Sequence, residues 1–249
     1  MIFDLIAAHQ PSAGPSVWTP AALFTNGELG FWLDSSDYST LFQDSAGTTP
    51  VTGTGQPIGK WKNKVGQVRF DFIQATAAAR PLSAANSGKP CVRYDGVDDQ
   101  LATNNGAGST ITNNGFTLAL GQKRTTNPPA GTRAFYGANG SVIGLQNQIA
   151  GYVFAQGLGQ TLNSAVIISL TTANVLMSYA GIGLAPITVR LNGTVATGTS
   201  APTSGTIGDV MRIVGGPENN CDISQAVFIN RILTPAEITL LETYIAGKQ

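Results

Sequence analysis

Charge is what this sequence has least of. Only 11% of its 249 residues are charged, where a soluble domain averages about 25%. Fourteen basic residues balance fourteen acidic ones, for a formal net charge of zero. No run of Lys or Arg occurs, which removes the electrostatic footprint of a nucleic-acid partner or a polybasic membrane patch. Histidine occurs once, as His9 near the N-terminus. That leaves no ordinary Ser-His-Asp or Cys-His apparatus and no histidine-based zinc site. Cysteine occurs twice, as Cys91 and Cys221, without metal-ligand spacing, and both read as small buried hydrophobes. A secretory signal is also missing: MIFDLIAAHQ carries Asp4, no Lys or Arg, and too short an apolar stretch. Synthesis in a cytoplasm without a signal peptide is the expectation. The most apolar stretch, Ala165 to Val189, is long enough to raise a membrane-spanning reading. Its Ser169, Thr171, Thr172, Asn174, Ser178 and Pro186, with β-branched runs on both sides of TTAN, predict two buried strands instead. No membrane insertion is expected.

Glycine is what the sequence has in excess, with 30 residues, clustered with Asn, Thr and Ser in stretches that read as turns. Between them lie short apolar runs: FWL at 31–33, CVRYDGVDDQL at 91–101, GFTLALGQK at 115–123, and AVIISL, NVLMSYAGI, DVMRIVGG and DISQAVFIN further on. The alternation Val68, Phe70, Phe72 predicts a half-buried strand. In ITVRLNGTVATG the pair Asn192-Gly193 separates two apolar runs, the strongest local signal for a tight type I′ hairpin. Many short strands joined by such turns predict an all-β sandwich or jelly roll. One helix is predicted, at the C-terminus. Thr234 is its N-cap, Pro235 its first residue and Glu237 the partner in a capping box. Ile238, Leu241 and Ile245 form its apolar stripe. Residues 1–28 read as an arm broken by Pro11, Gly14, Pro15 and Pro20, with one helical turn after Thr19. Its apolar tip, Ile2, Phe3, Leu5 and Ile6, either packs back on the domain at 29–249 or docks into a neighbouring subunit.

Several of these segments resemble a known family. YDGVDDQL at 94–101 is similar to the FDGVDDYL signature of concanavalin A-like, laminin-G-like domains, with Gln100 where that family often has an aromatic residue. GFTLAL, VRLNGTVAT and DISQAVFINRILTPAEITLLETYIA resemble its following strand, its hairpin and its closing strand and helix. WLDSSDYSTLFQDSAGTTPVT, WKNKVGQ and the later ARP resemble an N-terminal extension frequent in tailed-phage virion proteins that carry this domain. The resemblance covers roughly residues 29–247. It implies a concanavalin A-like jelly-roll sandwich of two antiparallel sheets with a short C-terminal helix. It also implies that the opening strand with Cys91 and the closing strand after Cys221 are neighbours in one sheet. A bond between the two cysteines is not expected in a protein assembled in a reducing cytoplasm.

Glucanases share this fold, so catalysis was tested against the residues. Retaining β-glucanases of this type resemble one another in a Glu-x-Asp-x-x-Glu strand, because retaining hydrolysis needs two carboxylates ~5 Å apart. Glu28, Glu218, Glu237 and Glu242 are the only four glutamates, and none stands in that order. Asp98 and Asp99 are adjacent and so would face opposite ways on a strand. The expectation is a protein that is not an enzyme. Asp34 with Asp37, and Asp95 with Asp98 and Asp99, are candidates for a calcium ion. Asx-turn chemistry is the preferred reading of both sets, so no cofactor is expected. Trp32, Trp61, Tyr136 and Tyr152 are the candidates for stacking on a sugar, although Trp32 and Trp61 sit inside apolar strand patterns that suit a core. The resemblance then implies a structural protein of a tailed-phage virion: an oligomeric decoration or host-contact module of head or tail. It would be anchored to other virion proteins by the arm and would bind host glycan on its outer side. A stand-alone lectin is the alternative, and a divergent glycanase a remote third.

Overall fold

The computed structural model describes residues 17–103, 115–124, 132–138, 144–147, 152–157, 160–167, 174–181, 185–197, 210–214 and 220–249, and the side chains among these except at 132–187, 196 and 214. The strands, in chain order, are β1 (Gly30–Asp34), β2 (Leu41–Phe42), β3 (Lys60–Trp61), β4 (Phe72–Ile73), β5 (Leu82–Asn86), β6 (Lys89–Asp95), β7 (Gln100–Thr103), β8 (Phe116–Arg124) and β9 (Thr132–Ala138). They continue with β10 (Gly144–Asn147), β11 (Tyr152–Gly157), β12 (Gln160–Ile167), β13 (Asn174–Gly181), β14 (Ala185–Leu191), β15 (Thr194–Thr197), β16 (Val210–Val214) and β17 (Asn220–Ile229). One α-helix, α1 (Pro235–Ala246), follows.

The strands form two antiparallel sheets. An eight-stranded sheet runs β15-β14-β13-β8-β17-β6-β5, and β1 lies along the second half of β17. A nine-stranded sheet runs β12-β11-β10-β9-β16-β7-β4-β3-β2. This is a jelly-roll β-sandwich of two antiparallel sheets with a short C-terminal helix. The opening strand β6 and the closing strand β17 are neighbours, with Cys221 opposite Tyr94. No helix among the described residues is long and apolar enough to cross a membrane.

Strand alternation sorts the side chains into two cores. Phe31 and Leu33 of β1, Val92 and Tyr94 of β6, Phe116, Leu118 and Leu120 of β8, and Ile223 and Phe228 of β17 face the inter-sheet layer. From the other sheet and its loops Trp61, Phe70, Phe72, Leu101 and Ile213 meet them. Trp32, Ala119, Val227 and Ile229 point the opposite way, into a second core beneath α1 that Ile238, Leu241 and Ile245 complete. Strands β8 and β17 are thus covered on both faces, which is why GFTLALG and QAVFI are nearly unbroken apolar runs. The helix approaches closely at Gly121, where an added Cβ would stand 2.7 Å from an Ile245 methyl carbon.

Local signals set the ends of these elements. Asn192 and Gly193 both take positive φ, 48° and 84°, the backbone of a type I′ turn, and pair Leu191 with Thr194. The α1 cap is a complete box: the Thr234 side chain accepts from the Glu237 N–H, and Glu237 accepts from the Thr234 N–H.

Three expectations change. Val68 to Phe72 is not a continuous strand: Val68–Phe70 is a 3-10 turn closed by the Asp71 N–H on the Val68 carbonyl, and only Phe72 enters β4. The alternation there reflects a turn that buries Phe70 and leaves Val68 68% exposed. Second, the 3-10 turn Pro20–Phe24 is present, but Thr19 does not cap it with its side chain. Third, that turn is docked rather than loose. Leu23 is fully buried in the core beneath α1, with Trp18 and Phe24 packed on it. Any detachable arm must therefore end before Val17; the apolar tip Ile2, Phe3, Leu5 and Ile6 lies outside the described residues.

Candidate functional site

Two adjoining concavities lie along the outer face of the β5–β6 edge. One lobe is lined by Thr54, Gly55, Leu82, Ala84 and Arg93. A second, sharing Leu82 and Arg93, continues over Pro57, Ala77, Arg80, Asp95 and Asp99. Register explains the grouping. Leu82 pairs with Arg93 and Ala84 with Cys91, and these four alternate with Ser83, Val92 and Tyr94, which turn inward. Leu82 is left 42% exposed, one of the few large apolar side chains open to solvent. Arg93 gives its fork to Asp222 across the sheet at 2.8 and 2.9 Å, which fixes the guanidinium beside the groove. Arg80 is fixed by the carbonyls of Gln74, Gln43 and Ala75. The groove thus sets an aliphatic patch between two held guanidinium groups and a set of carboxylates, with hydrogen-bonding capacity on both sides.

The carboxylates come from the β6–β7 turn. Oxygens of Asp95, Asp98 and Asp99 lie within 4.8 Å of one another, close enough for one hard cation. The turn accounts for two of them without an ion: the Asp95 N–H donates to Asp99 at 2.9 Å and the Val97 N–H to Asp95 at 2.8 Å. Burial and the neighbouring Asp95 push the Asp99 carboxyl up to about 6.

Asp34 and Asp37 form the opposite environment and are corrected as calcium candidates. Asp34 is 2% exposed and receives Gln225 at 2.6 Å, Ser36 at 2.9 Å, Tyr244 at 3.3 Å and Lys64 at 3.4 Å, with Lys248 at 3.6 Å. Lys64 also reaches Asp37 at 2.8 Å. Burial alone would raise the Asp34 carboxyl, but these donors and the Lys248 charge outweigh it and hold the group below its ordinary value. Two ammonium groups at the carboxylate leave no place for a cation.

The aromatic candidates fare differently. Trp61 is fully buried between the sheets. Trp32 is 5% exposed; its indole N–H donates to Gln225 at 3.0 Å, and its ring lies under Lys64 and edge-on to Tyr244. Neither offers a face to a sugar, so both are corrected to core residues. Tyr136 and Tyr152 lie in β9 and β11, and their side chains fall outside the described residues. Sequence reasoning missed Leu82, Arg80 and Arg93. The alternation in CVRYD carried a signal for Arg93, since it puts Arg93 on the face opposite Val92 and Tyr94.

The two cysteines lie on neighbouring strands but face apart. Cys221 stands opposite Tyr94, and Ile223 opposite Val92, so Cys91 and Cys221 are on neighbouring strands but odd-numbered steps apart. Their side chains leave opposite faces of the sheet, and both are free and buried. Burial pushes the Cys91 thiol up to about 12.

No protein-family profile and no curated protein matches this sequence. Solved structures do match the fold. Trypanosoma rangeli sialidase in complex with sialic acid superposes with a TM-score of 0.61 at 16% identity, over 95% of this chain and 35% of that one. The same sialidase as a covalent intermediate with 2,3-difluorosialic acid gives 0.62 at 15%, over 98% and 36%. The binding domain of botulinum neurotoxin DC, in complex with rat synaptotagmin II, gives 0.46 at 9%, over 88% and 51%.

The sialidases overturn the expectation that this chain is not an enzyme. That expectation rested on a missing carboxylate pair, and sialidases are glycosidases that use a tyrosine nucleophile instead. A missing pair of glutamates therefore cannot exclude the chemistry of chains that carry this fold. What the likeness establishes at this identity is the sandwich. The chain spans about a third of the length of the sialidases it matches.

Proposed function

We propose that this protein is a carbohydrate-recognising β-sandwich module, displayed on the surface of a tailed-phage virion, that contacts host glycan through the β5–β6 groove. The observation that carries the glycan part is the composition of that groove. A sugar ring presents a C–H face and a belt of hydroxyls. Leu82, Ala77 and Pro57 supply the apolar patch for the first, and Arg80, Arg93, Asp95 and Asp99 supply donors and acceptors for the second. Hydroxyl recognition of this kind suits a shallow site whose polar groups are already fixed by the fold. The sialidases of like fold are solved with sialic acid and its analogues, which agrees with sugar chemistry, but the groove itself bears the argument.

The virion setting rests on the resemblance of WLDSSDYSTLFQDSAGTTPVT and WKNKVGQ to phage structural proteins, and on the low charge of the sequence. An anchor to other virion proteins is assigned to the segment before Val17.

A glycan array probed with the purified chain tests the recognition. Binding is expected, and Leu82→Glu should abolish it without lowering the melting temperature, because Leu82 is exposed. No signal on a broad array, or a signal that Leu82→Glu leaves intact, would remove the groove from consideration. Mass spectrometry of purified particles tests the setting: absence of the chain from them would favour a stand-alone lectin.

A further inference from the structure

The end of the inter-sheet core near the β6–β7 turn holds two buried donor side chains, and no described acceptor pairs with them, the buried Oε1 of Gln122 included. Tyr94, Cys221 and Arg124 form one row across β6, β17 and β8: Cys221 pairs with Tyr94 on one side and with Arg124 on the other. All three are fully buried. Arg124 alternates on β8 with Lys123 and so shares the face of Phe116, Leu118 and Leu120, inside the sandwich. Its Nε, Nη1 and Nη2 have no hydrogen-bond partner, nor does the Tyr94 hydroxyl.

A guanidinium does not lose its proton in a protein, and an uncompensated charge is among the least tolerable things a core can contain. Among the described residues, the nearby groups do not neutralise it. Asp222, next to Cys221, leaves the other face of the sheet and is held there by Arg93. Asp99 acts on Tyr94 and accepts the Asp95 N–H. The Cys221 thiol, raised by burial, stays neutral.

We propose that Arg124 and Tyr94 form an anion-binding site between the sheets, built for a carboxylate. The planar guanidinium fork matches the two oxygens of a carboxylate, and the phenol adds a third donor. Complete burial restricts the occupant to a carboxylate on a small body. Its source is either a free monocarboxylate or the acid group of an acidic sugar; the second rests on the glycan reading above, the first does not.

Melting of the full chain in low-salt buffer tests this, with sodium acetate, sodium glucuronate or glucose added against sodium chloride of equal ionic strength. Acetate is expected to raise the melting temperature beyond the chloride control; a rise with glucuronate alone assigns the site to an acidic sugar. Glucose should give no shift. Arg124→Met should weaken the carboxylate response by about tenfold or more, the size of a lost charged hydrogen bond. Without added anion it should melt no lower than the parent, because an apolar side chain removes the unpaired charge. If Arg124→Met fails to fold, Tyr94→Phe carries the test and should weaken the acetate response. Indifference of the parent to both carboxylates overturns the site, as does an equal shift with glucose or a carboxylate response that the tested variant keeps in full. A chain that ignores both carboxylates yet binds on the glycan array overturns this site alone and leaves the groove standing.

Discussion

Two regions of this sandwich each bury a charge, and they treat it in opposite ways. At the junction of β1, β17 and α1, Asp34 is 2% exposed and is met by Gln225, Ser36, Tyr244, Lys64 and Lys248. On the other face of the same sheet, Arg124 is equally buried, and its guanidinium has no hydrogen-bond partner among the described residues. The first region is a finished structural joint. Its donors come from β17, the Asn63–Val65 loop and the helix, so one carboxylate ties together segments from both ends of the chain. The second is a site in want of a ligand. Burial by itself does not say whether a charge stabilises a fold; the partners decide.

Breaking the finished joint should have the largest effect. Asp34→Ala strands two ammonium groups and a buried amide, and should cost about 3–5 kcal/mol, read as a lower midpoint in urea. Arg124→Met, which also deletes a buried charge, should not lower stability in anion-free buffer. Equal losses in the two variants would erase the contrast.

The apolar side of the joint comes next. Leu241 is fully buried beneath α1, and Leu241→Ala should cost about 2–5 kcal/mol by the same urea measurement. An unchanged midpoint would show that the helix is peripheral to the joint.

The cap is smaller. Thr234→Ala removes one half of the capping box and should cost about 1 kcal/mol.

Titration sharpens the comparison further. Hydrogen bonds from Arg231 and the Thr234 N–H hold Glu237 at about 2 in the folded protein, against an ordinary 4.5. Its contribution is therefore present above pH 4.5 and is lost as pH falls toward 2. Asp99 behaves in reverse. Burial raises it from 3.8 to about 6, so the folded state holds that proton more tightly and stability falls as pH climbs from 3.8 through 6. Asp99→Asn should flatten the decline over that upper window and leave the acid limb unchanged, as followed by melting across pH. The smallest effect expected is none: reducing agent should not move the melting temperature, since Cys91 and Cys221 leave opposite faces of their sheet.

What was legible in the sequence was local in cause. Asn192-Gly193 specifies its hairpin because only a few residues tolerate positive φ at two successive positions. Thr234, Pro235 and Glu237 specify the start of α1 because their groups satisfy backbone donors within one turn. The alternation along β6, and the apolar runs of β8 and β17, announced a sandwich; that its central strands are covered on both faces came only with the packing of α1. The Val68–Phe72 alternation misled for the same reason: period two is shared by a strand and by a turn that buries alternate residues.

The candidate sites were hardly legible, because each depends on strands far apart in the chain. The groove needs Leu82 opposite Arg93 and a turn that returns Asp99 beside them. The anion row needs β6, β8 and β17 in one register. Trp32 and Trp61 are rich in sugar-stacking potential as residue types, yet the packing of the second core and of the inter-sheet layer hides both. Sequence by itself determined the strand-forming runs, the turns and the capped helix, since those depend on neighbours a few positions away. Only the tertiary structure decided which faces are closed, which charges are paired and which are left waiting, because burial and electrostatic pairing are properties of residues brought together from opposite ends of the chain.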